Sequence, residues 1–254
     1  MHGLRGKTVL LTGASRGIGA ATVHALGEAG ASVVAHYGSY REGAEAAVAA
    51  IAESDRILLQ ADLSQPGSAR ALWREAVAWR GRIDVTVVNA ATMPTTPFEG
   101  EDAEWDEGWR QALQVNVLEP VSLVREAVRH YLEHGGGTLI SLSSWAAQRG
   151  SAISHLGAYA ASKAALASLT QTVARNYAAQ GILAHVVAPG IVRTRLSEAS
   201  AAARGGIEAV NAALAMGEMV PPEEVAELIA YLATGTCRHL TGATLDVNGA
   251  SNVR

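Results

Sequence analysis

Apolar residues fall along this chain in two alternating registers. Short, nearly continuous apolar runs recur at 8–12, 32–36, 57–60, 84–89, 137–143, 182–188 and 243–247. Between them lie longer Ala-rich stretches with apolar positions three and four apart, at 18–29, 41–53, 68–80, 104–115, 117–134, 158–179 and 222–233. Runs apolar at every position predict strands buried on both faces, and the intervening periodicity predicts helices. Strand and helix in strict alternation imply βαβ units, hence a doubly wound parallel sheet of about seven strands with helices on both faces. Nothing resembling a linker or repeat interrupts the rhythm, so 1–254 is expected to form one α/β domain. Residues 195–219 fit the rhythm poorly. Their small residues and the Gly205-Gly206 pair suit a lid over a substrate cleft.

Composition narrows the class. The 254 residues are 49% hydrophobic, ample for a large core, and their net charge of −4 argues against nucleic-acid binding. The single cysteine, Cys237, cannot make an intrachain disulfide, which suits a reducing compartment. No stretch approaches the ~18 apolar residues of a membrane span. The apolar run at 8–11 is too short for a signal-peptide core. The expectation is a soluble cytoplasmic protein.

Two segments carry chemistry. Thr12-Gly13-Ala14-Ser15-Arg16-Gly17-Ile18-Gly19 follows the first strand and opens the first helix. Glycines there let the backbone approach a pyrophosphate, and the N–H groups and dipole of a helix N-terminus meet its charge. The second strand ends His36-Tyr37-Gly38-Ser39-Tyr40-Arg41, with no carboxylate before Glu42 to bond an adenosine ribose. Arg16, aided by Arg41, suits a 2′-phosphate, so NADP(H) is favoured over NAD(H).

In the helical stretch 158–179, Tyr159 and Lys163 lie four residues apart. That spacing places them on one face, about 6 Å apart along the axis. An ammonium beside a phenol favours the phenolate and would bring a poor acid–base catalyst toward the working pH range. Ser144, at the end of a strand, can orient a substrate oxygen beside the phenol. Ser144, Asn89 and the glycine turn all fall at carboxyl ends of strands, where open α/β sheets bind ligands.

With these motifs in order, the chain resembles the short-chain dehydrogenase/reductase family from about Lys7 to Gly249. TGASRGIG resembles the family's cofactor turn (Gly13, Ser15, Arg16, Gly17, Ile18, Gly19), and Asp62-Leu63 its adenine-side acid. Asn89-Ala90-Ala91 resembles its Asn-Ala-Gly element, and Asn116 its helix asparagine. Ser144, Tyr159 and Lys163 match its catalytic trio, and Pro189-Gly190-Ile191-Val192-Arg193-Thr194 its nicotinamide-side turn. The resemblance implies a Rossmann fold with Gly13–Gly19, Tyr37, Ser39, Asp62, Leu63, Asn89, Ala90, Tyr159, Lys163, Pro189, Gly190, Val192 and Thr194 on the cofactor. It further implies that Tyr159 exchanges the substrate proton and Ser144 polarises the substrate oxygen. Lys163 would hold the nicotinamide ribose and lower the tyrosine pKa, while Asn116 anchors a water leading to solvent. Two residues depart from the pattern: Ala91 stands where glycine is usual and Val88 where a second asparagine is common. The segment from Ser144 to Tyr159 is also slightly longer than in the bacterial reductases it most resembles, which bears on substrate preference.

The activity expected is reduction of a carbonyl or oxidation of the matching alcohol. The subclass it most resembles is 3-oxoacyl-carrier-protein reductase, with Arg125, Arg129, Arg149 and Arg193 available to an acidic carrier. A catalytically silent NADP-binding sensor is the alternative, and the presence of both Tyr159 and Lys163 weighs against it. His130 and His134 have a metal-compatible spacing but no third ligand nearby, and no metal is expected. Trp105 and Trp109 share a helix face suited to a core or an interface. The apolar helix at 158–179 needs burial on more than one side, and with the resemblance this implies a homo-oligomer, dimer or tetramer.

Overall fold

The computed structural model describes residues 3–202 and 205–253. Each apolar run becomes a strand: β1 (Thr8–Thr12), β2 (Ser32–Tyr37), β3 (Arg56–Gln60), β4 (Val85–Val88), β5 (Gly137–Leu142), β6 (Ile182–Pro189) and β7 (Thr244–Val247). They form a single seven-stranded sheet in the order β3-β2-β1-β4-β5-β6-β7, parallel throughout. Strands β1, β2, β4 and β6 are buried at every position, which explains why they read as continuous apolar runs.

The helices are α1 (Gly17–Glu28), α2 (Arg41–Val48), α3 (Ser68–Arg80), α4 (Asp102–Leu113), α5 (Glu119–Glu133), α6 (Ala146–Arg149), α7 (Gly157–Tyr177), α8 (Arg195–Ala202), α9 (Gly206–Ala212) and α10 (Pro222–Ala233). Alternate strand residues face opposite layers. Val9, Leu11, Val33 and Val85 pack with Val23 and Leu26 of α1 and Ile229 and Leu232 of α10. Leu10, Val34 and Val88 pack with Leu72 and Trp73 of α3, Leu123 of α5 and Leu166 of α7.

Three departures from the expected elements have physical causes. Helix α2 stops at Val48, where the Arg56 guanidinium donates to the Val48 carbonyl at 2.6 Å. No glycine or proline marks that stop in the sequence. Helices α4 and α5 run on through a π turn at Gln114–Leu118. Pro120 has no N–H to give the Asn116 carbonyl four residues earlier, and a widened turn accommodates that missing bond. The 195–219 segment contains α8 and α9. Gly205 and Gly206 sit at φ 85° and 91°, a left-handed pair that glycine alone adopts without strain. Residues 203–204 of that segment lie outside the described residues.

Buried Glu119 joins two helices of one layer, α5 and α3. Its carboxylate accepts from the Gly67 N–H at 2.9 Å, the Ala69 N–H at 2.7 Å and the Ser68 hydroxyl at 3.3 Å. The N-cap of α3 is Gly67, which has no side chain to cap with, so a residue from α5 does so. Glu119→Ala should leave those buried donors without partners and cost about 1–3 kcal/mol. Urea denaturation checks this; an unchanged midpoint would show that the cap contributes nothing.

Candidate active site

Strand order reverses between β1 and β4: β2 and β3 follow on one side of β1, and β4 to β7 on the other. Loops leave the carboxyl ends of β1 and β4 in opposite directions there, opening a crevice. The crevice measures about 1010 Å³ and is lined by residues following five strands. After β1 these are Gly13 and Ser15 to Gly19, and after β2 Gly38 to Tyr40. Asn89 to Ala91 follow β4, Ser143 and Ser144 follow β5, and Pro189, Gly190 and Val192 to Arg195 come from the end of β6 and beyond. Tyr159 and Lys163 of α7 complete one end.

The glycine turn is built for close approach. Gly13 and Gly17 have φ of 76° and 52°, and a Cβ on Gly19 would lie 1.9 Å from the Gly13 carbonyl oxygen. Asn89 holds the turn by donating its amide to the Thr12 and Gly13 carbonyls at 2.9 and 3.1 Å. A Cβ on Gly17 would lie 2.8 Å from the Thr194 methyl, so the turn after β6 closes against the turn after β1. The N-cap of α1, Arg16, makes no side-chain bond to the helix, which leaves its first N–H groups facing the crevice for an anion. The Arg16 guanidinium lies 4.2 Å over the Tyr40 ring at the same edge. This cradle of glycines, an uncapped helix end and a stacked cation fits a nucleotide pyrophosphate.

At the other end, Lys163 is 3% exposed. Its ammonium donates to the Leu142 carbonyl at 2.8 Å and lies 5.9 Å from the centre of the Tyr159 ring. Burial holds its pKa down to about 8. Tyr159 is not drawn down by the lysine, contrary to the expectation from spacing. Burial raises its pKa, and the hydroxyl of Ser144, hydrogen-bonded to the phenol, offsets part of that rise. Desolvation disfavours the charged form of each group, and for Tyr159 it is the largest influence.

Asn116 stands behind the crevice, not on it. Its amide oxygen accepts from the Thr92 N–H at 2.8 Å, and its nitrogen donates to the Thr92 carbonyl at 2.9 Å and the Ser162 hydroxyl at 3.0 Å. Ser162 in turn donates to the Tyr159 carbonyl at 2.7 Å, which ties the π turn to the helix bearing the phenol.

Among residues expected on the cofactor, Tyr37, Asp62 and Leu63 are absent from the crevice lining. The buried Tyr37 accepts at its phenol oxygen from Arg41 at 3.2 Å. Asp62 turns back to accept from the Ser64 N–H at 2.9 Å, and these bonds lower its pKa. Leu63 packs in the core beside Leu59 and Trp73. Arg41 is engaged by Glu45 at 2.7 Å, so of the two arginines expected at a phosphate only Arg16 lines the crevice. Of the four arginines proposed for an acidic carrier, Arg193 lines it, Arg129 pairs with Glu126 and Arg149 lies over Trp145. The sequence reading passed over Tyr40, Ser143, Arg195 and Glu198, all on the lining. Tyr40 alone had a signal, an aromatic residue just past β2. His130 accepts from the Ile83 N–H at 3.0 Å, a core role. Phe98, Trp105 and Trp109 form a ladder of partly exposed rings with centroids 5.0 and 5.9 Å apart.

Residues 13–251 match the family described as Enoyl-(Acyl carrier protein) reductase. The chain is a short-chain dehydrogenase/reductase. It is 36% identical to a 3beta-hydroxysteroid dehydrogenase 1 of Eggerthella lenta, over 97% of this chain and 94% of that one. A 3-oxoacyl (acyl-carrier-protein) reductase of Agrobacterium tumefaciens, solved with NADP bound, superposes with a TM-score of 0.88 at 31% identity, covering 98% and 95% of the two chains. A 3-ketoacyl-(acyl-carrier-protein) reductase of Brucella melitensis, complexed with NADH, gives 0.84 at 26% identity, covering 98% and 100%. As a member of this family the chain is an NAD(P)-dependent oxidoreductase acting on a carbonyl or alcohol. Among its described residues no helix is long and apolar enough to cross a membrane.

The buried lysine generates a prediction about this reductase's stability. Folded, Lys163 loses its proton at about 8; unfolded, it does so near 10.5. Between these values the unfolded chain holds more protons, so stability rises with pH, and below pH 8 the burial penalty is present in full. Lys163→Met should therefore be more stable than the parent at pH 7, by up to about 3 kcal/mol. That gap should shrink as pH rises toward 10. Urea denaturation at pH 7 and 9.5 measures it; a variant no more stable at pH 7 would mean the ammonium is not buried at a cost.

Proposed function

We propose that this protein is an NADPH-dependent carbonyl reductase that converts a ketone to a secondary alcohol, or the reverse. One observation carries the reading: a single crevice has Ser144, Tyr159 and Lys163 at one end and Arg16 stacked on Tyr40 at the other. When bound, the nicotinamide supplies the hydride, and the chain supplies position and field. Ser144 bonds and polarises the substrate oxygen. Tyr159, its phenol protonated because burial raises its pKa, delivers the proton to that oxygen. Lys163 holds the nicotinamide ribose and refills the phenol. Asn116 anchors a water behind Lys163, and its main-chain carbonyl, to which Pro120 has no N–H to give, suits that task. Asn89 and Gly13 shape the turn, and Val192 and Thr194 border the nicotinamide end. The helices between 195 and 219 act as a lid over the substrate.

Arg16 supports the choice of NADP(H) over NAD(H), because no carboxylate stands at the end of β2 and a guanidinium braced on a ring is placed to meet a 2′-phosphate. Arg193 and Arg195 on the crevice suit a substrate borne on an acidic carrier, such as a carrier-bound 3-oxoacyl thioester. The partly exposed ladder of rings and the exposed Ala161 and Ala165 on α7 support assembly as a homo-oligomer, dimer or tetramer.

Two measurements test this. NADPH should exceed NADH in kcat/KM by at least about tenfold, or ~1.4 kcal/mol, with a panel of ketones that includes an acetoacetyl thioester. Equal use of the two would reject the cofactor preference. Tyr159→Phe should lower kcat by about 10²–10⁴-fold while NADPH affinity stays within a few-fold. Retained turnover would remove Tyr159 as the proton donor.

A further inference from the structure

No cofactor motif includes His36, yet it is 2% exposed at the carboxyl end of β2. Its Nδ1 lies 3.1 Å from the backbone nitrogen of Gly13. A backbone N–H can only donate, so Nδ1 carries no proton. Its Nε2 lies 2.9 Å from the carbonyl oxygen of Ala61, which can only accept, so Nε2 carries the proton. The neutral Nε2–H tautomer alone satisfies both partners, and burial, which lowers this histidine's pKa, keeps the ring neutral.

These two bonds join three strand ends. Gly13 follows β1, His36 is in β2, and Ala61 follows β3 immediately before Asp62. The carbonyl of Gly13 is meanwhile held by Asn89 from beyond β4. The first glycine of the phosphate turn is therefore gripped by its N–H from one neighbouring strand and by its carbonyl from the other. An apolar residue would bury as well at position 36, as Val34 does two positions earlier, but would leave the Gly13 N–H without its acceptor.

We propose that His36 is a positioning residue for the dinucleotide, fixing the Gly13 peptide in the turn that faces the pyrophosphate and bracing it against the loop after β3. The Gly13 N–H is then spoken for, and the pyrophosphate is met by N–H groups further along the turn and at the start of α1. His36 touches neither substrate nor cofactor. It acts through Gly13, so its influence falls on binding and not on the proton transfer at Tyr159.

Three variants separate this role from mere packing. In His36→Asn the amide oxygen takes the place of Nδ1 and keeps the Gly13 bond. In His36→Gln the amide takes the place of Nε2 and keeps the Ala61 bond, while His36→Leu loses both. Isothermal titration with NADPH and with NADH gives Kd for each, so the outcome does not hinge on which dinucleotide is preferred. Melting of the ligand-free proteins runs in parallel. His36→Leu should weaken both dinucleotides by about tenfold, the scale of one hydrogen bond to a buried donor, with kcat at saturating cofactor within about twofold of the parent. His36→Asn should recover most of the affinity, and His36→Gln should not. If the leucine variant does not fold, the ordering of Asn over Gln decides alone. Equal affinity in those two, or Gln above Asn, would overturn the proposal, as would a leucine variant that binds like the parent.

Discussion

Helix α1 can start so close behind β1 because Gly19, in its first turn, carries no side chain toward the strand end. At Gly19 a Cβ would sit 1.9 Å from the Gly13 carbonyl oxygen, a contact no other residue survives. That clearance sets where α1 begins, and so sets its packing against α10 through Val23, Leu26, Ile229 and Leu232. It also leaves the helix N-terminus bare at the sheet edge, with Arg16 as an N-cap that makes no capping bond. The shape of this end of the crevice follows from backbone geometry. The side chains around it, Asn89 and His36, serve to hold that backbone still.

The opposite end of the crevice works by a different constraint. Lys163 is buried and Tyr159 half-buried beside it, and desolvation pushes the lysine down and the tyrosine up, each toward its neutral form. Burying the lysine ammonium is costly to the fold. The surroundings hold the geometry that electrostatics alone would not. Leu142 accepts from the ammonium, the Ser143 hydroxyl donates to the Lys163 carbonyl at 3.0 Å, and Ser162 ties the Tyr159 carbonyl to Asn116. The serine pair after β5 thus divides its work. Ser143 fixes the helix, and Ser144 bonds the phenol.

Legibility in the sequence tracked how local each cause is. The strands were readable because burial on both faces leaves continuous apolar runs, and all seven appear within about two residues of their expected bounds. The end of α2 was not, because a distant arginine from β3 makes it. Position in the motif placed Gly13, Ser15, Arg16, Gly17, Ile18, Gly19, Ser39, Asn89, Ala90, Ser144, Tyr159, Lys163, Pro189, Gly190, Val192 and Thr194 together on one crevice. Tyr37, Asp62 and Leu63 lie off that lining, and their side chains answer to neighbours elsewhere in the fold. The lysine–tyrosine pair was read from spacing as a Coulomb effect, since spacing carries no information about burial. His36 left no trace at all: a histidine within an apolar strand looks like any core residue until its two nitrogens are seen with opposite partners.

Charge gives the site its last layer of organisation. The chain as a whole carries −4, yet the crevice is lined by Arg16, Lys163, Arg193 and Arg195 against the single acid Glu198. A positive cleft in a negative body focuses field at its mouth and draws in anions while the rest of the surface repels them. The two ends use that field differently. Arg16 lies 4.2 Å over the Tyr40 ring, braced at the glycine-turn end. Arg193 and Arg195 are exposed on the approach to α8 and are free to accompany whatever the neighbouring helices enclose. The glycine-turn end of the crevice is thus walled by tight backbone turns, and the other end by the side chains of α7 and the residues after β6. One fold thus serves relatives named for molecules as different as a hydroxysteroid and a 3-oxoacyl carrier, so the sheet and its turns alone do not fix the substrate.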